Sequence, residues 1–285
     1  MSAVLNGNVI LAIAANLIPQ AVAIGAYAAR YAGVTTRRIA TAISLFSLLV
    51  TASRLAALFM TPSLGALADG TANAALRQNL KAVPPDALHV FDLQMRIIVA
   101  AGSLGILLGA LMLPMFLAAF TRGIASFERR GSIPRALLRL LDPSVLWWLL
   151  RHLRPRRFSL ADFPISSVPR KLLIANVVLF AVYAVGVVAA YYASVIDLGA
   201  RTTASGLSGL VNGIGTVAFA LFIDPTTALI VDQTVRDERP RRDVAAMIFW
   251  LIVTAFVGTL LAQLILVPAA QYIAAVAHVW PHGKL

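Results

Sequence analysis

The chain has 285 residues, 60% of them hydrophobic and only 13% charged, with a mean hydropathy of +0.84. That composition excludes a soluble globular protein and points to a single transmembrane domain over residues 1–285. There are 24 Lys and Arg against 12 Asp and Glu, and no cysteine, which excludes disulfides, thiolate metal sites and thiol redox chemistry.

Six apolar spans approach the roughly 20 residues a bilayer requires: 4–27, 39–60, 97–120, 172–196, 206–231 and 244–267. The expected fold class is all-α, a polytopic membrane helix bundle of about six transmembrane helices. In span one, Asn16, Gln20 and Tyr27 stay close to one helix face, and Arg30 follows. Ala12-Ile13-Ala14 resembles a signal-cleavage site, but the residues ahead of it lack the usual positive charge. In span two, Thr41, Ser44, Ser47, Thr51 and Arg54 fall on one side. An unpaired arginine in lipid costs roughly 2.5–3.5 kcal/mol on insertion scales. Arg54 is therefore expected to meet an acid, a cavity or an anionic substrate; pairing with Asp69 across the Pro62 turn is the structural alternative.

Residues 61–95 form an extracytoplasmic loop, broken by Pro62, Pro84 and Pro85, with a short helix expected over 71–82. Span three carries Gly102, Gly105 and Gly109, a close-packing face and a candidate homo-oligomer contact. The basic loop 121–171 mixes arginines with Leu137, Leu138, Leu140, Leu141, Trp147 and Trp148. This predicts amphipathic helices lying in the cytoplasmic membrane interface. Span five lies within RTTASGLSGLVNGIGTVAFALFIDPTTALIVD (201–232) and is the most polar. Ser205, Ser208, Asn212 and Thr216 share one face, and Gly209-x-x-x-Gly213 predicts close helix packing. Asp224-Pro225 reads either as the N-cap of a restarted helix or as an acid that pairs with arginine or carries a proton; Asp232 lies roughly 12 Å further along. Span six is mostly apolar, with Thr259 and Gln263 one turn apart.

The positive charge is unevenly placed. Arg30, Arg37 and Arg38 follow span one, the loop after span three is arginine-rich, and Arg236, Arg239, Arg241 and Arg242 separate spans five and six. The positive-inside rule then predicts both termini outside the cytoplasm. It also reads the basic loop as attracted to anionic membrane lipids, with no nucleic acid as partner. No G-x-x-x-x-G-K-[ST] loop and no H-E-x-x-H occurs, and His89, His152, His278 and His282 are dispersed. No metal or cofactor is expected.

Several runs together resemble the Amj family of bacterial lipid II flippases, the alternate to MurJ. They are AYAARYAGVTTRRIATAISLFSLLVTASRL (26–55), PSLGALAD (62–69), LPMFLAAFTRGIASFERRGSIPRALLRLL (113–141), ARTTASGLSGLVNGIGT (200–216), FIDPTTALIVD (222–232) and GTLLAQLILVPAAQYI (258–273). Where the family pattern often has a His and a Glu ahead of the Ala-Tyr of span one, this chain has Gln20 and Ala23. The resemblance implies a multi-pass protein of the bacterial inner membrane. Its implied action is to move undecaprenyl-diphosphate-linked peptidoglycan precursor (lipid II) from the inner to the outer leaflet for cell-wall synthesis. Such a substrate needs a polar groove with cationic contacts for diphosphate, for which arginine is suited. On that implication the substrate-binding residues are Gln20, Tyr27, Arg30, Arg54, Ser205, Ser208 and Asn212, and the coupling or structural acids are Asp69, Asp224 and Asp232. A membrane enzyme acting on polyprenyl phosphate through Asp69 and Asp86, or a non-transporting scaffold of cell-wall synthesis, stays open beside it.

Overall fold

The computed structural model describes residues 4–130 and 160–279, with 144, 147, 148 and 151 between them. Helix α1 (Gly7–Thr36) is capped by Asn6, whose side chain accepts a hydrogen bond from the Val9 N–H at 3.0 Å. It turns at Arg37, in the left-handed region with φ 55°, into α2 (Ile39–Ala57). Gly33 permits that hairpin: a Cβ there would lie 2.9 Å from the Ile39 Cα. Then follow α3 (Met60–Arg77), α4 (Pro85–Leu111) and α5 (Leu113–Arg130). Two single 3-10 turns, Leu160–Asp162 and Ile165–Ser167, lead into α6 (Arg170–Ile196). The chain continues through α7 (Arg201–Ala218), a π turn (Phe219–Ile223), α8 (Asp224–Val235) and α9 (Arg241–Val279). Among the described residues, six segments are long and apolar enough to cross a membrane: α1, α2 with α3, α4, α6, α7 with α8, and α9. Among the described residues there is no strand, and the fold is an all-α membrane bundle.

The boundaries differ from the sequence expectation in several places. Pro62 does not break the chain; it sits in the first turn of α3, where a proline loses no intrahelical hydrogen bond, so that helix begins at Met60 and ends at Arg77. Helix α4 starts at Pro85, well before Ile97, because Asp92 and Arg96 pair at 2.8 Å one turn apart and make this stretch tolerable in a span. The expected span 97–120 is in turn divided at Met112. Beyond that break, α5 buries Phe116, Phe120 and Ile124 against Ala28, Ala29, Ala32, Ala42 and Leu45. The stretches 131–143 and 152–159, where interfacial helices are predicted, lie outside the described residues. Near α5, the Arg122 guanidinium stands 4.8 Å from the Trp148 ring centre, and Arg151 stands 5.6 Å from that of Trp147.

Two close helix pairs build the bundle. Helix α4 seats its glycine stripe on α1: a Cβ at Gly105 or Gly109 would come 2.5 Å from the carbonyl oxygen of Leu17 or Ala21. The Gly102–Gly105–Gly109 face is thus spent within the chain and is not free to join two copies. Helix α6 meets α9 at Gly258, where a Cβ would lie 2.5 Å from the Val177 carbonyl oxygen. Asn176 of α6 donates to Leu251 O and Thr254 Oγ1, each at 2.9 Å. The packing expected at Gly209 and Gly213 is not seen among the described residues: beyond the helix's own backbone, none of their atoms lies within 4 Å of a Cβ placed there or at Gly206.

The described parts of the basic segments gather at one end of the bundle. Arg37 pairs with Asp237 at 2.8 Å, and Arg242 donates to Ala161 O at 2.8 Å. At the opposite end Arg201 pairs with Asp69, and His278 with Asp197 at 2.9 Å.

Candidate functional site

Three helices present residues at alternating three- and four-residue spacing to a common space. Helix α1 contributes Asn16, Gln20, Ala23, Tyr27 and Arg30; α2 contributes Ile43, Ser47, Val50, Arg54 and Ala57. Helix α6 adds Phe180, Tyr183 and Val187, the π turn brings Phe219 and Ile223, and α8 begins with Asp224. The result is a groove of about 590 Å³. It is open along the α2 side, since Ile43, Ser47 and Arg54 remain exposed while lining it.

Its charges sit at different depths. Counting from the α1–α2 turn at 1.5 Å per residue, Arg30 lies roughly 10 Å from the basic end and Arg54 roughly 24 Å. Arg30 donates to Asp224 Oδ1 at 2.8 Å, with 21% of the arginine side chain exposed against 57% of the aspartate. Arg54 makes no ion pair or side-chain hydrogen bond among the described residues, and the Gln20 amide, 8% exposed, makes no hydrogen bond among them either. The pairing of Arg54 with Asp69 is overturned: Asp69 belongs to Arg201, which also donates to Asn73 Oδ1 at 3.1 Å.

The turn that positions Asp224 follows from its neighbour. Pro225 lacks an N–H and its ring crowds the carbonyl four residues back, so the helix widens to a π turn before α8 begins. Asp224 is consequently the first residue of α8, not its N-cap, and its side chain is free for Arg30.

A second cavity, about 510 Å³, opens at the end opposite the basic segments. Asp69, Tyr191, Ser194, Arg201, Thr202 and Ser205 line it. Beside it, burial alone would raise the Asp197 carboxyl, but hydrogen bonds from His278 and from the N–H groups of Ala200 and Gly199 outweigh burial and hold it below the usual carboxylate range.

The family whose description is Amj, alternate to MurJ, matches residues 16–277. The chain belongs to the Amj family. A relative in Bacillus subtilis (strain 168), the lipid II flippase Amj, is 30% identical over 251 residues, covering 87% of this chain and 89% of the relative. No solved structure matches the chain. In this family member the matched region takes in nearly all of the groove, only Ala15 falling outside it. Gln20 and Ala23 of span one both line it.

Of the residues singled out in the sequence, Gln20, Tyr27, Arg30, Arg54 and Asp224 converge on the groove. Ser205 lies at the other cavity and donates to Thr202 O at 3.1 Å. Ser208 is half-buried and lines neither cavity. The Asn212 side chain lies outside the described residues, and Asp232 is exposed. In α2, Ser44 and Thr51 turn away and donate to the carbonyls of Ala40 and Ser47, at 2.9 and 2.8 Å. Ser53 takes their place on the groove, three residues on from Val50.

Sequence reasoning also missed a polar cluster joining α4, α6 and α9. Tyr192 Oη donates to Asp92 Oδ1 at 3.0 Å, Arg96 donates to Gln263 O at 2.9 Å, and Gln263 Nε2 donates back to Arg96 O at 3.0 Å. Every member has a partner, so the cluster acts as a structural brace.

Proposed function

We propose that this chain is a flippase that carries lipid II from the inner to the outer leaflet of the bacterial inner membrane. The groove supports this reading: its largely apolar wall carries two arginines, Arg30 and Arg54, with Gln20, Tyr27, Ser47 and Ser53 among the polar groups, and it is open along α2. A headgroup passes within it while the polyprenyl tail stays in lipid, so the tail never leaves hydrocarbon. Arg54 and Arg30 hold the diphosphate at successive depths, as the guanidinium geometry favours. Gln20, Tyr27, Ser47 and Ser53 supply hydrogen-bond partners for the sugars, replacing lost water bonds. The second cavity, with Ser205 and Arg201, receives the headgroup as it leaves, and Ser208 and Asn212 continue that polar face along α7. The basic end faces the cytoplasm and its anionic lipids, and both termini lie outside.

Among the described residues the groove contains one carboxylate, Asp224, already paired with Arg30, and no second acid for acid–base turnover. Purified protein in liposomes tests the assignment. Fluorescent lipid II is expected to become accessible in the opposite leaflet, and Arg54→Ala to slow it with protein yield unchanged. Covalent turnover of the lipid would assign an enzyme instead; neither translocation nor turnover would assign a scaffold.

A further inference from the structure

We propose that Asp224 is an exchangeable counterion, occupying Arg30 when the groove is empty and yielding it to an entering diphosphate. The inference rests on the reading of the groove as the path of a diphosphate-bearing lipid.

Four observations support it. Asp224 is the one acid lining the groove among the described residues. The two partners are unequal: Arg30 is mostly covered on the α1 stripe, whereas the Asp224 side chain is more than half exposed. The arginine is therefore the fixed half and the aspartate the half that can leave. Asp224 is also mounted on the widened turn, its N–H bonded back to Phe219 O across the π spacing, where the helix is least regular. Finally, the other groove cation, Arg54, has no acid among the described residues, so the two arginines present different affinities to the same anion.

The chemistry of the exchange is straightforward. A carboxylate offers one negative charge; a diphosphate offers more charge and more acceptor oxygens, so it displaces Asp224 from the guanidinium. When the anion departs, Asp224 returns, and Arg30 is not left as an unpaired cation in the membrane. Without the aspartate, Arg30 would bind the diphosphate more tightly and release it more slowly. A purely structural pair predicts the reverse, because its loss would loosen the groove and weaken binding.

The test uses full-length protein in detergent, with farnesyl diphosphate as the titrated probe, and the same variants in liposomes for translocation of fluorescent lipid II. Asp224→Asn and Asp224→Ala are both expected to tighten binding by about two- to fivefold, the range of a partly exposed ion pair, while translocation slows. Arg30→Ala is expected to weaken binding. If the wild-type protein binds the probe and Arg30→Ala weakens it, but neither Asp224 variant tightens it, the exchange is wrong and the flippase reading stands. If the wild-type protein binds no probe and moves no lipid II, both fall together. Measuring two Asp224 variants guards against one of them misfolding.

Discussion

Two glycine stripes in this chain look alike in sequence and differ in surroundings, which gives the same substitution opposite outcomes. At Gly105, an alanine Cβ would lie 2.5 Å from Leu17 O and 2.9 Å from the Gln20 Cβ. Ordinary contact needs roughly 3.5 Å, so α1 and α4 must part by about 1 Å. Backbone carbonyls cannot step aside as a side-chain tip can, and overpacking of this kind costs about 1–3 kcal/mol. The better helix propensity of alanine returns at most about 1 kcal/mol, leaving a net loss of up to about 2 kcal/mol for Gly105→Ala. At Gly209 a Cβ meets nothing within 4 Å, so Gly209→Ala is expected to be neutral or stabilising. Thermal unfolding of the purified variants in detergent reads both. Gly105→Ala should also slow lipid II translocation, because Gln20 lines the groove from the displaced helix. Equal destabilisation at Gly209 and Gly105 would refute the reasoning, since α7 would then be packed by something other than the described residues.

Because the chain has no cysteine, single cysteines report topology directly. Replacements at Asn79 and Gly199 are expected to react with an impermeant maleimide in intact cells, and one at Asp237 only after permeabilisation; the opposite pattern would invert the proposed orientation. Asp197→Asn is expected to lower stability by about 1 kcal/mol at neutral pH by weakening acceptance from His278 and the Gly199 and Ala200 amides. The folded carboxyl is held low, so its contribution is complete above the unfolded value of about 3.9 and is lost as pH falls through the folded one. The melting-temperature gap to wild type should therefore be full at neutral pH and close in acid; a gap that widens in acid would contradict the assignment.

The six crossings were legible because hydropathy alone sets them. Their ends were not, wherever polar residues satisfy one another. Asp92 and Arg96 read as loop charges until one sees that they pair within a helix. Arg30, Arg54 and Asp224 stood out because a charge in a membrane segment demands a partner or a cavity. Ser44 and Thr51 misled for the opposite reason: a hydroxyl can bond its own helix and face lipid without penalty, so its letter says little about its direction. Nor could spacing tell the filled glycine stripe of α4 from the open one of α7, because what fills a stripe is decided by another part of the chain.

The wall formed by α2 has a mechanical consequence. Only Ala42, Leu45 and Ser53 are buried along it, and two of these lie close to the turn where Gly33 clasps Ile39. The helix is pinned at its foot by that turn and beyond Ala57 by α3, whose Leu64, Leu67 and Ala68 are buried in the core, so its middle is the part least held. In a bilayer, a face uncovered by tilting meets hydrocarbon rather than water, so no hydrophobic force pulls it back. Bowing of α2 between the Arg37 turn and α3 would therefore change the width of the groove mouth at little energetic expense, with the α1–α4 and α6–α9 pairs standing still.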